Sequence, residues 1–435
     1  MKVVDLRVHS IAISDPPLRS SYGLHQPYAL RTILELVSDQ GVVGIAETLG
    51  GDGIAKGFEA LRPRLLGQDP FSLAGLLIDL VENKALGSSL DRSQTLFVPG
   101  ENPLDLKQRL YSAIEIAALD LVGRALERPV CDLLGGRVRS EVPFSAYPFY
   151  KHAGGGGEGP DARPDEYGEA LSPESLVRQV RAMVDRYGFA DIKFKTGVLD
   201  PEIEVDTVRE LYRQFPTLPI RMDPNSAWTV ETSIKVGKAL QKELANGGYL
   251  EDPTAGMDGM SAVRKGLLGA GIDTPLASNV AVTCFADLPE CVQKDAVQVV
   301  LCDVHYWGGL RQVQHLGKLC GTFGLGLSMH SNSHLGISLM AMAHAAAVTP
   351  QLTYACDTHY PWSATSDEVV EGGRVRIVGG KVKIQDLPGL GVTLDRDRLA
   401  QGKERYEKCA YRKRDDEAEM RKHVDPNWKR TLPRW

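Results

Sequence analysis

The stretch "GFADIKFKTGV", Gly188 to Val198, decides how this chain is read. Ile192 and Phe194 have the alternation of a buried strand, yet the alternate positions carry Lys193 and Lys195. Residues i and i+2 of a strand share a face, so both lysines point the same way. A central parallel strand is covered on both faces and offers no solvated side for them. They therefore line a cavity. Burial and a like charge alongside both disfavour an ammonium, so one amine can be neutral near pH 7 and act as a base.

Outward from this stretch, short apolar runs alternate with amphipathic helices, the pattern of repeated βα units. The candidate strands are VPFSAY (142–147), DIKFK (191–195), PIRMDPN (219–225), GYLEDP (248–253), PLASN (275–279), VQVVLCD (297–303), GLGLSMH (324–330) and LTYACDT (352–358). Helical segments such as PESLVRQVRAMVDRYG (173–188), PEIEVDTVRELYRQF (201–215) and VETSIKVGKALQKEL (230–244) fit between them. Eight such units suit a (β/α)8 barrel; an open, doubly wound sheet is the alternative built from the same parts. Residues 1 to 50 read as a hairpin or meander of strands, and 55 to 135 as helical, ending at Gly135–Gly136, so an α+β region precedes the barrel. The insert HAGGGGEGPDARPDEYGEA (152–170) reads as a flexible loop over one barrel face. Its Gly154, Gly156 and Gly159 match a dinucleotide fingerprint by letters alone, since no helix follows. The chain beyond about 395 is charged, helical at first, and ends in DPNWKRTLPRW.

Composition narrows the partners. With 50 Lys and Arg against 56 Asp and Glu in 435 residues, the net charge of -6 gives no basic footprint for nucleic acid and no polybasic membrane patch. No apolar run reaches membrane-spanning length, and the start lacks a signal-peptide pattern, so a cytoplasmic protein is expected. Small molecules and further copies of the chain, in a homo-oligomer, are the expected partners. Seven cysteines without C-x-x-C spacing imply neither a disulfide framework nor a zinc knuckle.

Polar residues close the candidate strands: Lys195, Asp223, Glu251, Asn279, Asp303, His330 and Asp357, spaced 28, 28, 28, 24, 27 and 27 residues apart. In a barrel the carboxyl ends of the strands surround one opening, where the chemistry sits. Asp223, Glu251 and Asn279 are hard oxygen ligands from successive strands, without sulfur or imidazole, and suit magnesium rather than zinc. A base beside magnesium suits removal of a proton α to a carboxylate, whose enediolate gains charge that a cation and a second ammonium stabilise. Across the barrel, His330 ends one strand and Asp303 another; a carboxylate on one ring nitrogen fixes the tautomer and leaves the other nitrogen for proton transfer. His330 and His334 have the spacing of a zinc pair, but SNSH reads as a loop entering a helix.

The segments DIKFKTGVL, IRMDPNSAW, YLEDP, LASNV, CDVHYW, MHSNSHLGISL, ACDTHY and GGKVKIQDLPGLGVTLD resemble the enolase superfamily, and within it the glucarate dehydratase group of acid-sugar dehydratases. IEIAALDLVGRALERPVCDLLGG is similar to the superfamily's capping-domain signature. The resemblance implies a modified (β/α)7β TIM-type barrel, one helix short of the eight units above, with an N-terminal α+β capping domain. The implied division is 1–140 for the cap, 141–395 for the barrel and 396–435 for a tail packing back on the cap. It implies Mg2+ on Asp223, Glu251 and Asn279, Lys195 and His330 with Asp303 as acid/base catalysts, and Lys193 stabilising the enediolate. His25, Tyr147, Lys193, Asn225, Ser331, Asn332, His359 and Arg414 match the family's substrate-binding positions. The implied reaction is dehydration of a D-glucarate-like hexarate to a 4-deoxy-5-keto acid.

The chain departs from the family at KTG for KGG, NSAW for NGAW, SNV for TNM, and HYWGGLR after the sixth strand. A capping-domain threonine used for binding has no counterpart near Leu106–Gln108. These departures bear on which sugar acid is bound. Other readings are a racemase or epimerase of the same superfamily, a Schiff-base aldolase using a barrel lysine, and a non-catalytic carboxylate binder.

Overall fold

The computed structural model describes residues 1–73, 75–76 and 103–435. The meander expected at the N-terminus is an antiparallel sheet of Val3–Ser14, Tyr28–Ser38 and Val43–Leu49, with Tyr28–Ser38 in the centre. Helices Asp52–Leu65 and Pro103–Ala125 pack on it. The part of the expected helical region at 77–102 lies outside the described residues.

Six parallel strands run side by side in sequence order: Ile192–Lys195, Ile220–Asp223, Tyr249–Glu251, Leu276–Ser278, Val299–Cys302 and Gly326–Met329. Parallel bridges close the ring: Ala146 to Ile192 on one edge, Leu327 to Leu352 on the other, and Phe144 to Cys356 between them. Helices follow the first seven positions of the ring. The eighth leads only into short 3-10 turns, Tyr360–Trp362 and Thr365–Asp367. The architecture is thus a (β/α)7β barrel with an α+β cap, and the eight complete βα units suggested by the spacing are seven and a strand.

Three expectations from the sequence need correction. VPFSAY is not one barrel strand, because Glu141–Pro143 pairs antiparallel with Lys381–Lys383 outside the ring and only the residues after it bridge into the barrel. LTYACDT joins by bridges rather than as a continuous strand. The Gly-rich insert is pinned down rather than flexible. Asp165 accepts hydrogen bonds from Lys151 Nζ at 2.8 Å, Gly154 N at 2.8 Å and Gly168 N at 2.9 Å, and Arg163 pairs with Asp367 at 2.7 Å. A buried lysine and free backbone donors at this position need an acceptor, and Asp165 supplies it.

Strand ends pass into helices through ordinary caps. Ser172, Asp200 and Thr229 side chains each accept a first-turn N–H of the helix that follows, and Gly188 ends its helix in the left-handed conformation. At the C-terminus, helix Arg396–Lys408 packs on the first strand, where Arg405 donates to the Ala12 carbonyl at 3.0 Å. Among the described residues no helix is long and apolar enough to cross a membrane.

Candidate active site

Period-two alternation sorts the barrel strands into two faces. Ile192, Phe194, Ile220, Met222, Leu250, Leu276, Val300 and Leu327 join the large apolar core beneath the helices. The alternate positions face inward: Tyr249, Ala277, Val299 and Leu301 form a separate cluster low in the barrel. Above them the same register brings up Lys193, Lys195, Asp223, Glu251, Asp303 and His330, all of them buried. The one-strand argument about the lysines thus extends around the ring.

Lys193 Nζ stands 2.6 Å from Glu251 Oε2, 2.7 Å from Asp357 Oδ2 and 3.5 Å from Asp223 Oδ2. Burial opposes its charge, but Asp357 and Glu251 outweigh burial and hold the amine well above its ordinary range. Three carboxylates from other strands thus favour the ammonium form of Lys193, the state expected of the second of the two amines. Lys195 Nζ bonds Asp223 Oδ2 at 2.8 Å and Asn225 Oδ1 at 2.6 Å. Asp223 is pushed up by burial, yet Lys195 and Lys193 bring it down to about 2. Glu251 goes the other way, well above the usual carboxylate range, through burial and the neighbouring Asp223.

The oxygen set fits a hard cation on a structural ground. Glu251 Oε1 and Asn279 Oδ1 are buried and have no hydrogen-bond partner. Orphaned buried acceptors are costly, and a bound cation relieves that cost. Among the described residues no three His, Cys, Asp or Glu side chains form a metal cluster; this set has two carboxylates and one amide, a donor choice suited to Mg2+. Asp252 buttresses it, accepting from Ser278 Oγ at 2.6 Å and Asn279 N at 2.9 Å. Asn225, Ser226 and Asp252, just past Asp223 and Glu251, hold positive φ of 44°, 62° and 39°, strain of the kind concentrated at functional sites.

On the far wall His330 Nδ1 meets Asp303 Oδ2 at 3.0 Å, while Asp303 Oδ1 takes His305 Nδ1 at 2.8 Å and His305 N at 2.7 Å. Burial pushes Asp303 up, but His305 and His330 hold it far below the ordinary range. His305 escaped the sequence reading, its only signal being its place two residues after a strand-end aspartate. His334 does not join His330. Its nitrogens bond the Leu335 carbonyl and Thr358 Oγ1, each at 3.0 Å, and burial lowers it to about 4.

The remaining candidates gather over the same opening. Tyr147 donates to Asp223 Oδ2 at 3.0 Å. His25 bonds Asp15 Oδ2 at 3.0 Å, and Ser331 Oγ bonds His359 Nδ1 at 3.0 Å. Burial lowers His359 far below its usual range, and its ring packs against Tyr147 and Phe149 with centroids 4.9 and 5.2 Å away. Asn332 donates to the Tyr306 hydroxyl. Arg414, on the C-terminal segment, is exposed and pairs with its neighbour Asp416 at 2.6 Å. Asp15 and Tyr306 are further members that the sequence reading missed; the cap contributes the first through a strand end.

Comparison with known proteins agrees with this architecture. Residues 175–398 match the enolase C-terminal domain-like family, and residues 6–135 match the mandelate racemase / muconate lactonizing enzyme N-terminal domain. A probable glucarate dehydratase of Streptomyces coelicolor is 45% identical over 100% of this chain and 99% of its own length. A D-xylonate dehydratase of Haloferax volcanii is 25% identical over 84% of this chain and 83% of its own. An enolase from Pseudomonas fluorescens, crystallised with magnesium, potassium and tartrate, superposes with a TM-score of 0.91 at 45% identity, covering 100% of this chain and 99% of the other. One from Thermobispora bispora, with magnesium and formate, gives 0.89 at 45% identity and full coverage of both chains. With both of its domains matched and relatives aligned end to end, the chain belongs to the mandelate racemase / muconate lactonizing enzyme family of the enolase superfamily.

Proposed function

We propose that the protein is a hydro-lyase that dehydrates an acid sugar, a hexarate such as D-glucarate, to a 4-deoxy-5-keto acid. The observation that carries this reading is the pairing of orphaned Glu251 and Asn279 oxygens with a lysine on one wall and an aspartate-held imidazole on the other. Relatives named as sugar-acid dehydratases support it. The division into a cap over 1–140, a barrel over 141–395 and a returning tail over 396–435 belongs to the same proposal.

Asp223, Glu251 and Asn279 would hold Mg2+, which supplies Lewis-acid stabilisation of negative charge on the substrate carboxylate. Lys195 takes the proton from the carbon next to that carboxylate. Lys193, fixed as an ammonium, lies where it can offset the charge that develops. The electron pair of the broken C–H bond forms a double bond as the β C–O bond breaks, and His330 protonates the departing hydroxyl, which leaves as water. The resulting enol gains a proton at carbon and becomes the ketone. Asp303 orients His330 throughout. His25, Tyr147, Asn225, Ser331, Asn332, His359 and Arg414 surround the substrate.

The test is a screen of acid sugars with Mg2+, read by semicarbazide trapping of a 2-keto acid. A keto acid from a hexarate supports dehydration; an epimer without keto acid establishes a racemase or epimerase instead. Irreversible labelling by borohydride without metal would establish Schiff-base chemistry. Binding of acid sugars with no turnover and no proton exchange would leave a non-catalytic carboxylate binder.

A further inference from the structure

Among the described residues, one buried charge near the opening has no counter-ion. Arg109, on helix Pro103–Ala125, is 3% exposed, and its guanidinium stacks on Tyr306 with Cζ 4.5 Å from the ring centroid. Among the described residues no carboxylate pairs with it, and its buried Nε has no hydrogen-bond partner. The other two guanidiniums whose fields reach the Tyr306 phenol are neutralised: Arg31 by Glu47 at 2.8 Å and Arg414 by Asp416 at 2.6 Å. Removing a charge from water without pairing it is among the costliest arrangements a fold can hold, so an unpaired buried guanidinium calls for an anion.

Tyr306 faces the place where that anion would arrive. Its ring centroid lies 5.8 Å from that of His330, it is half-buried, and its hydroxyl oxygen accepts from Asn332 Nδ2. With the lone pair engaged, the phenolic proton is free to donate, and no acceptor for it is present among the described residues. Tyr306 belongs to HYWGGLR, and Arg109 follows Leu106–Gln108, two of the segments where the chain parts from the pattern it otherwise resembles. The two departures meet in space.

We propose that Arg109 and Tyr306 form a subsite for the second carboxylate of a dicarboxylic acid sugar, the end remote from the metal. Tyr306 donates its hydroxyl proton to that carboxylate. Arg109 acts as a positioning residue, fixing the ring from behind and supplying the positive charge. The inference rests on the acid-sugar reading above and deepens it, since it selects aldarates over aldonates.

The test compares wild type, Arg109→Met, Arg109→Lys and Tyr306→Phe, each Mg2+-loaded, on a hexarate and on the hexonate that lacks the second carboxylate. Arg109→Met is expected to raise KM for the hexarate at least tenfold with a smaller change in kcat. Its hexonate kcat/KM should fall much less than its hexarate kcat/KM, so that the preference collapses. Arg109→Lys should restore most of the preference, and Tyr306→Phe should lose part of it. Equal losses on both substrates, or an unaltered preference, would overturn the proposal. Calorimetric titration with tartrate and with glycerate separates the two readings. Arg109-dependent preference for tartrate in a protein that dehydrates nothing would leave the subsite standing and remove the dehydratase; dehydration of a hexarate with a preference blind to Arg109 would do the reverse.

Discussion

Asp303 holds two histidines with separate oxygens, His330 on Oδ2 at 3.0 Å and His305 on Oδ1 at 2.8 Å. Because His305 also donates its backbone N–H to Oδ1, the carboxylate cannot swing away, and His330 presents its Nε2 to the opening. Asp303→Asn should keep the fold and lower kcat about a hundredfold, the general scale of a misoriented acid/base group. Steady-state kinetics on the best acid sugar checks this, and unchanged kcat would remove Asp303 from the mechanism. In proton exchange into substrate, Lys195→Ala should fail with one epimer and His330→Ala with the other.

Lys193 is the only ammonium within ion-pair distance of Glu251 and Asp357 among the described residues. Lys193→Met leaves buried Glu251 without a cationic partner and Asp357 with only Arg221, 3.7 Å away, at a cost of about 3–5 kcal/mol. A fall in melting temperature that Mg2+ partly reverses is expected by calorimetry. A metal-free Lys193→Met melting like wild type would contradict the electrostatic account.

Removal of metal should destabilise the wild-type protein, because Glu251 Oε1 and Asn279 Oδ1 then lack partners. At a hundredfold excess over Kd, Mg2+ should add about 2.7 kcal/mol. The melting temperature in EDTA should lie below that in Mg2+ and rise with the logarithm of its concentration. Glu251→Gln should abolish the dependence; if it does not, the cation sits elsewhere.

Acid sensitivity has a defined contributor in Glu35, which joins the first sheet to the C-terminal helix through His9 at 2.7 Å and Arg396 at 2.7 and 2.8 Å. Burial raises its carboxyl, but His9 and Arg396 prevail and bring it to about 2. A folded value below the unfolded one adds stability above about pH 4.5 that is lost as pH falls towards 2. The melting-temperature gap between wild type and Glu35→Gln should therefore narrow between about pH 5 and about pH 3. A constant gap across that window would show that the ion pairs carry no linkage.

The sequence by itself determined the strand-end set. Lys193 and Lys195 announced an inward face because no solvated face exists for them, and near-equal spacing carried the argument to Asp223, Glu251, Asn279, Asp303 and His330. Local periodicity is enough for this, since one βα unit fixes where each strand end lies. Only the tertiary structure decided the charge state of Lys193, which three carboxylates from other strands control. It alone brought His305 onto Asp303, Asp165 onto Lys151, and Arg109 onto Tyr306, across 197 residues of chain for the last pair. Electrostatic and packing energies depend on distance in space, and separation along the chain carries no record of it.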